Sequence, residues 1–182
     1  MILFDAYKPK KGDFPRSLAA DIALFSKGQE NALTISQEPF TIDTLGEFDI
    51  KGSMVTTWGT PEGVVCYKVT TEGVHVLHLG RIKTKISAEI IESVGKVDVL
   101  LIPVGGGENY LSASDAASII TELEPRIVIP IAYQSDNDPD AASVESFIKE
   151  VGLKPEVTDK KIILKQKDLP VEETKLMILE KQ

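Results

Sequence analysis

The chain has 182 residues, with 20 Lys and Arg against 28 Asp and Glu, two His, one Cys and a formal net charge of −8. That length suits one domain with room for a real core, and 42% apolar with 26% charged residues is ordinary for a globular protein. The acidic balance excludes a broad phosphate-gripping surface, the single Cys66 excludes an internal disulfide framework, and two His and one Cys leave little for a transition-metal site.

Ile2-Leu3-Phe4-Asp5 reads as a strand ending in an acidic turn, and Lys8 to Pro15 as loop. Asp21 to Phe25 and Pro39 to Asp43 are compact apolar runs. Phe48-Asp49-Ile50 and Met54 to Thr57 read as strands, followed by a Gly/Pro turn from Gly59 to Gly63. Val64 to Val69 and Val74 to Leu79 flank Thr70 to Gly73, a hairpin pattern. From there strands and helices alternate. Ser87 caps a helix that stops at Gly95, and Val97 to Ile102 is apolar throughout, as a strand covered on both faces should be. Ser112 and Asp115 have capping-box spacing, with Ala116, Ile119, Ile120 and Leu123 on one helix face that ends at Pro125. Ile127 to Ile131 is the next buried strand, and Ser143 to Val151 a last helix closed by Gly152. Lys161 to Leu164 and Lys175 to Leu179 read as closing strands. The expectation is one domain, 1–182, built as a sheet sandwich with helices outside.

No apolar run approaches the roughly 18 to 20 residues of a membrane-spanning helix, and Met1 to Tyr7 lacks a signal-peptide layout. No membrane and no nucleic-acid partner is therefore expected, and a cytoplasmic location is.

Three local patterns invite chemistry, and each has a plainer reading. Pro103-Val104-Gly105-Gly106-Gly107 could cradle a phosphate, but it lacks both P-loop and dinucleotide spacing and reads as a tight strand-to-helix connection. Cys66 with His75 or His78 could pair nucleophile and base, yet a Cys in an apolar strand is usually a small buried hydrophobe. His75 and His78 are three apart, so on a regular strand they face opposite sides and share no metal. Trp58 is either a ligand contact or a packing plug.

Several segments together resemble the metallo-β-lactamase-fold Zn-dependent hydrolases, in their lactonase-like branch. Ile2 to Tyr7 resembles the family's strand ending Asp-Pro-Phe/Tyr. Phe40-Thr41-Ile42-Asp43 through Gly46 to Gly52 resembles its Val-Ile-Asp and Gly-Glu-Tyr-Glu-Val-x-Gly stretch. His78-Leu79-Gly80 with Val97 to Gly106 resembles His-Leu-Gly-Asp followed by Val-Asp-Val-Leu-Leu-Ile-Pro-Val-Gly-Gly. Pro125 to Ile131 resembles the strand delivering the last metal histidine, and Lys167 to Pro170 a late element. The resemblance implies an α/β, four-layer αββα sandwich. The resemblance implies a first hairpin carrying Gly-His ahead of the Asp-Pro strand; with the sequence beginning at Met1, the expectation is either a fragment or late start of a longer chain, or a sheet lacking two strands.

Where that resemblance implies a two-metal centre, this chain departs from it. The H-x-H-x-D-H loop is Lys27, Gln29, Asn31 and Ala32 at its ligand positions. The middle histidine would fall in Thr57 to Glu62, which has none. The bridging aspartate is Arg81 and the final histidine is Ala132. Lys27 and Arg81 would put fixed positive charge where cations belong, with Glu30 the nearest compensation in sequence. The reading is a degenerate member, a pseudoenzyme without metal cofactors, serving binding or assembly as a homo-oligomer or with an intact relative. Lys27 and Arg81 could then form a pocket for a small anion. The alternative is a hydrolase of the superfamily acting without the usual two-metal site, with Lys27 as base, Arg81 stabilising an oxyanion and Glu30 beside them.

Overall fold

The structure, a computed structural model, describes residues 1–9 and 18–180. In chain order it contains β1 (Ile2–Phe4), β2 (Leu18–Ala19), β3 (Ile22–Leu24), β4 (Ile35–Ser36), β5 (Phe40–Ile42), β6 (Glu47–Ile50), β7 (Ser53–Gly59), β8 (Val65–Thr71) and β9 (Val74–His78). Then follow α1 (Ala88–Val94), β10 (Val99–Pro103), α2 (Ala113–Leu123), β11 (Ile127–Ile131), α3 (Val144–Val151), β12 (Pro155–Thr158), a 3₁₀ turn (Gln166–Asp168) and β13 (Lys175–Leu179). From Lys10 onward, the expected Lys8 to Pro15 loop lies outside the described residues.

Among the described residues there are three sheets, of which a parallel pair, β2-β4, is the smallest and the other two carry the core. The larger has the order β12-β13-β11-β10-β9-β8-β7-β6, and the smaller is β1-β3-β5, parallel throughout. Pairing in the large sheet is antiparallel from β6 to β9 and parallel from β9 onward, matching the change from hairpins to strand–helix units. At the β8–β9 hairpin, Glu72 and Gly73 both take positive φ, the backbone a two-residue turn between twisted strands requires.

Strand alternation divides the core cleanly. Cys66, Leu77, Leu100, Ile102, Val128 and Leu176 face one way and pack with residues of all three helices. Tyr67 and Val69 face the other way, against Ile22, Leu24 and Ile42 of the small sheet. Val99, Ile127 and Ile129 also face away from the helices, toward Ile162, Leu164 and Leu169 of the C-terminal segment. Among the described residues, the helix layer is thus on one face of the large sheet.

Local signals explain the helices. Ser87 accepts from the Ile90 amide and Ser112 from the Asp115 amide, while the Asp115 carboxylate accepts from the Ser112 hydroxyl. Lys68 Nζ donates to the Val94 carbonyl at 2.5 Å, satisfying the end of α1.

The tail corrects one expectation. Lys161 to Leu164 forms no strand; β12 takes the ladder position beside β13, in parallel register from Pro155↔Leu176 to Thr158↔Leu179. Ile162 and Leu164 instead lay their side chains across the sheet face, so apolar burial there is achieved without a ladder. Trp58 packs against the helix-side core, which settles it as a plug. The Gly105 to Gly107 connection spends amides on its own turn: Gly106 N donates to Leu111 O at 2.9 Å.

One glycine is indispensable to this packing. Gly80 has φ +65°, and a Cβ there would lie 2.4 Å from the Ser26 Cβ. Gly80→Ala should cost about 2 to 4 kcal/mol in urea unfolding, combining overpacking with a strained backbone. Gly28→Ala, also at positive φ but with nothing within 4 Å, should cost about 1 kcal/mol. Equal losses for the two would contradict the packing argument.

Candidate functional site

A cavity of about 590 Å³ opens on the helix-free face of the large sheet. Its existence follows from strand geometry. Pairing between β11 and β13 covers only Ile127↔Lys175 and Val128↔Leu176; beyond it lies Pro130, which has no N–H to donate. The strands part, and Leu101, Ile129, Ile131 and Leu179 line the space between the small sheet and the tail, with Phe4. The polar end is formed by the end of β9 and the turns after β1, β9, β10 and β11, through Asp5, His78, Arg81, Tyr110 and Asp138.

Asp5 organises the first of these turns. With φ +48° it leaves β1 in the left-handed region, and its carboxylate accepts from the Ser26 amide and hydroxyl at 2.7 Å each and from His78 Nε2 at 3.1 Å. Burial alone would push this carboxyl up, but the hydrogen bonds and attraction from His78, together with Ser26, outweigh it and hold it below its ordinary 3.8. An ionised Asp5 only accepts, so His78 Nε2 is the donor in this pair. His78 Nδ1 is buried with no hydrogen-bond partner among the described residues.

Arg81 is half-buried. Its Nη2 donates to the Tyr110 hydroxyl at 2.9 Å, its guanidinium carbon lies 5.4 Å from that ring's centroid, and Tyr110 in turn donates to Asp138 at 2.6 Å. Burial, then Asp138, raise the Tyr110 phenol. No carboxylate pairs with Arg81 within salt-bridge distance among the described residues.

The expected site residues separate into two groups. Arg81 and Ala132 line the cavity. Lys27, Gln29 and Asn31 are exposed beside it, and Ala32 packs with Tyr7 and Phe25. Gln29 Nε2 donates to Asp43 at 2.9 Å. Lys27 hydrogen-bonds through its backbone amide to the hydroxyl of cavity-lining Tyr7. Partial burial, then the charges of Arg81 and Lys83, lower the Lys27 ammonium, so Lys27 and Arg81 do share one field. The carboxylates bearing on Lys27 are Glu62 and Asp5 rather than the expected Glu30, because the fold brings the loop after β7 to it. Ala132 takes φ +53°, and its carbonyl lies so close over Gly105 that a Cβ there would be 2.2 Å away.

Sequence reasoning missed Asp5, His78, Tyr110 and Asp138 as site members. An acidic residue closing a strand, and a histidine just before Leu79-Gly80-Arg81, were the available signals for the first pair. Cys66 is excluded as a nucleophile: it sits on the helix side, Sγ 3.5 Å from the Leu79 carbonyl, and burial pushes its thiol up to about 12. His75 pairs through Nδ1 with Thr70 Oγ1 at 3.0 Å, outside the cavity.

These residues do not fit a two-metal centre. Among the described residues no group of three or more His, Cys, Asp or Glu could hold an ion. Asp5 and His78 are already bound to each other, and Arg81 adds fixed positive charge beside them.

Asp5 should be visible in acid. Because its folded value is depressed, its stabilising contribution is complete above the ordinary 3.8 and lost as pH falls through the lower folded value. Asp5→Asn should therefore reduce stability near neutral pH and flatten the acid limb of the stability curve, measured by urea melts from pH 2 to 7. An unchanged acid limb would contradict this assignment.

The description "Beta-lactamase superfamily domain" matches residues 1–132. A UPF0173 metal-dependent hydrolase of Thermococcus onnurineus is 36% identical over 100 residues, covering 54% of this chain and 42% of that protein. A UPF0173 protein of Pyrococcus furiosus is 41% identical over 76 residues, 42% of this chain and 33% of its own length. The chain thus spans less than half the length of these relatives. Among solved structures, a metallo-β-lactamase superfamily protein of Thermotoga maritima superposes with TM-score 0.82 at 22% identity, covering 98% of this chain and 88% of that one. The metallo-β-lactamase fold protein YhfI of Bacillus subtilis gives 0.54 at 9%, covering 86% and 60%. In the described residues no helix is long and apolar enough to cross a membrane. With sheets, register and cavity laid out as above and most of its length matched, this chain belongs to the β-lactamase superfamily domain family and has the metallo-β-lactamase fold.

Proposed function

We propose that this chain is a hydrolase of the metallo-β-lactamase superfamily that works without the usual two-metal site, on a carboxylic ester or a related acyl compound. The observation that carries the reading is Arg81: a half-buried guanidinium lining the cavity, free of any carboxylate ion pair among the described residues. A guanidinium so placed supplies fixed charge to a developing oxyanion. Lys27, whose ammonium is lowered by partial burial and by the like charges of Arg81 and Lys83, is the base. In the neutral form it takes a proton from water as the water oxygen bonds to the acyl carbon and the carbonyl pair moves onto oxygen beside Arg81. Collapse breaks the bond to the leaving oxygen, which takes the proton back from Lys27.

A second reading is favoured by the ligand positions themselves. Lys27, Gln29, Asn31, Ala32, Arg81 and Ala132 offer no competent metal-binding set, which suits a pseudoenzyme that binds a small anion or assembles with a second copy or an intact relative.

Turnover of a p-nitrophenyl alkanoate panel in excess EDTA separates the two. Hydrolysis that persists in EDTA and falls about 100-fold in kcat/KM in Arg81→Met supports the first reading. Acetate binding without turnover supports the second. Hydrolysis abolished by EDTA and restored by stoichiometric Zn or Mn contradicts both.

A further inference from the structure

The cavity has two chemically distinct ends, and the proposed function uses only one. We propose that the other is an acyl-chain subsite, so that the site selects linear apolar acyl groups and holds their carboxylates as products. This inference rests on the assignment of Arg81 as the group facing the acyl oxygen.

The apolar end is built by the sheet itself. Leu101 of β10, Ile129 and Ile131 of β11 and Leu179 of β13 all project on the face opposite the helices, with Phe4 of β1 completing the wall. The small sheet covers that face over β6 to β8, and Ile162, Leu164 and Leu169 belong to one apolar cluster with Val99 and Ile127, whose members Leu101, Ile129 and Leu179 also line the cavity. The upper halves of β10 and β11 thus keep apolar side chains on the cavity. Ile129 and Ile131 are two apart and so stand on one face, a continuous aliphatic strip along the strand.

The polar end commits the other half of the ligand. Arg81 has five N–H donors, and the described structure gives one of them to Tyr110. The two carboxylates near it are occupied. Asp5 accepts from Ser26 and His78, and Asp138 accepts from Tyr110 and lies beyond that phenol. Lys8 also lines the cavity, and Lys27 adds charge beside it. A ligand with one anionic or oxyanionic head and an unbranched hydrocarbon tail meets both ends at once. A cavity of about 590 Å³ has the capacity for such a molecule. A compact, multiply charged anion would leave the aliphatic strip unused.

The test is binding, read independently of turnover. Isothermal titration of the full chain with butanoate, hexanoate, octanoate and decanoate, in EDTA and below micelle concentrations, should show about fourfold tightening per added methylene. Arg81→Met should weaken every member by the same factor and leave the slope intact. Ile131→Thr and Leu179→Thr, at half-buried positions that tolerate polarity, should flatten the slope without changing butanoate. Octanol should bind at least tenfold more weakly than octanoate. Equal affinity from butanoate to decanoate, with ester turnover sustained, would overturn the subsite while leaving the hydrolase reading intact. Octanol matching octanoate, or no alkanoate binding at all, would overturn the inference. A length-dependent series without ester turnover would sustain the subsite and contradict the hydrolase reading alone.

Discussion

The contact between Asp5 and His78 is the joint on which the site depends. It ties the turn after β1, in the small sheet, to the end of β9, in the large one. Asp5 also holds Ser26, and Ser26 lies directly against Gly80, two residues beyond His78. The chain thus closes a ring from Asp5 to Ser26 to Gly80 to His78 and back. Arg81 follows Gly80 and Lys27 follows Ser26, so the two cations are carried on adjoining segments of one tight structure. Tyr67 reinforces the same joint: its hydroxyl lies 2.9 Å from the Phe25 carbonyl and 3.0 Å from that of Ile42. Deeply placed polar contacts of this kind are costly when broken, since each would leave buried partners unsatisfied.

Charge decides what the ring can hold. A cation placed about 4 Å from Arg81 would meet a repulsion of about 4 kcal/mol per unit charge at an effective dielectric of 20. The one carboxylate in the ring is already saturated by three hydrogen bonds, so it offers little offset. Negative or developing negative charge on a ligand meets the opposite field. Where the resemblance implies a bridging metal ligand, this chain carries Arg81, whose guanidinium is held by the Tyr110 hydroxyl and ring. Ala132 illustrates the exchange from the other wall, where a methyl group at φ +53° stands at the position of the expected final histidine.

Much of this was legible in the sequence because it rests on local rules. Ser87, Ser112 and Gly152 marked helix ends, and the apolar run from Val97 to Ile102 marked a strand buried on both faces. The motif order from Ile2-Leu3-Phe4-Asp5 to Pro130 carried the fold, and the ligand positions could be read one by one. The cavity was not legible. It arises where β11 and β13 part beyond Val128, a tertiary event that Pro130 permits but does not announce. Lys161 to Leu164 misled for the same reason: apolar alternation there serves to cover a sheet, and periodicity alone does not separate covering from pairing. The partners of Arg81 and Lys27 come from loops far off in the chain, as Tyr110 and Glu62 show.

The proposed function requires that side chains, not a metal pair, supply the charge in this site. Metal content of the purified chain, after incubation with Zn, Mn and Fe and removal of free ion, tests it most directly. The account predicts well under 0.1 equivalent of any of the three, in wild type and in Asp5→Asn alike. One to two equivalents bound per chain, lost on substituting residues around Asp5 and His78, would contradict it.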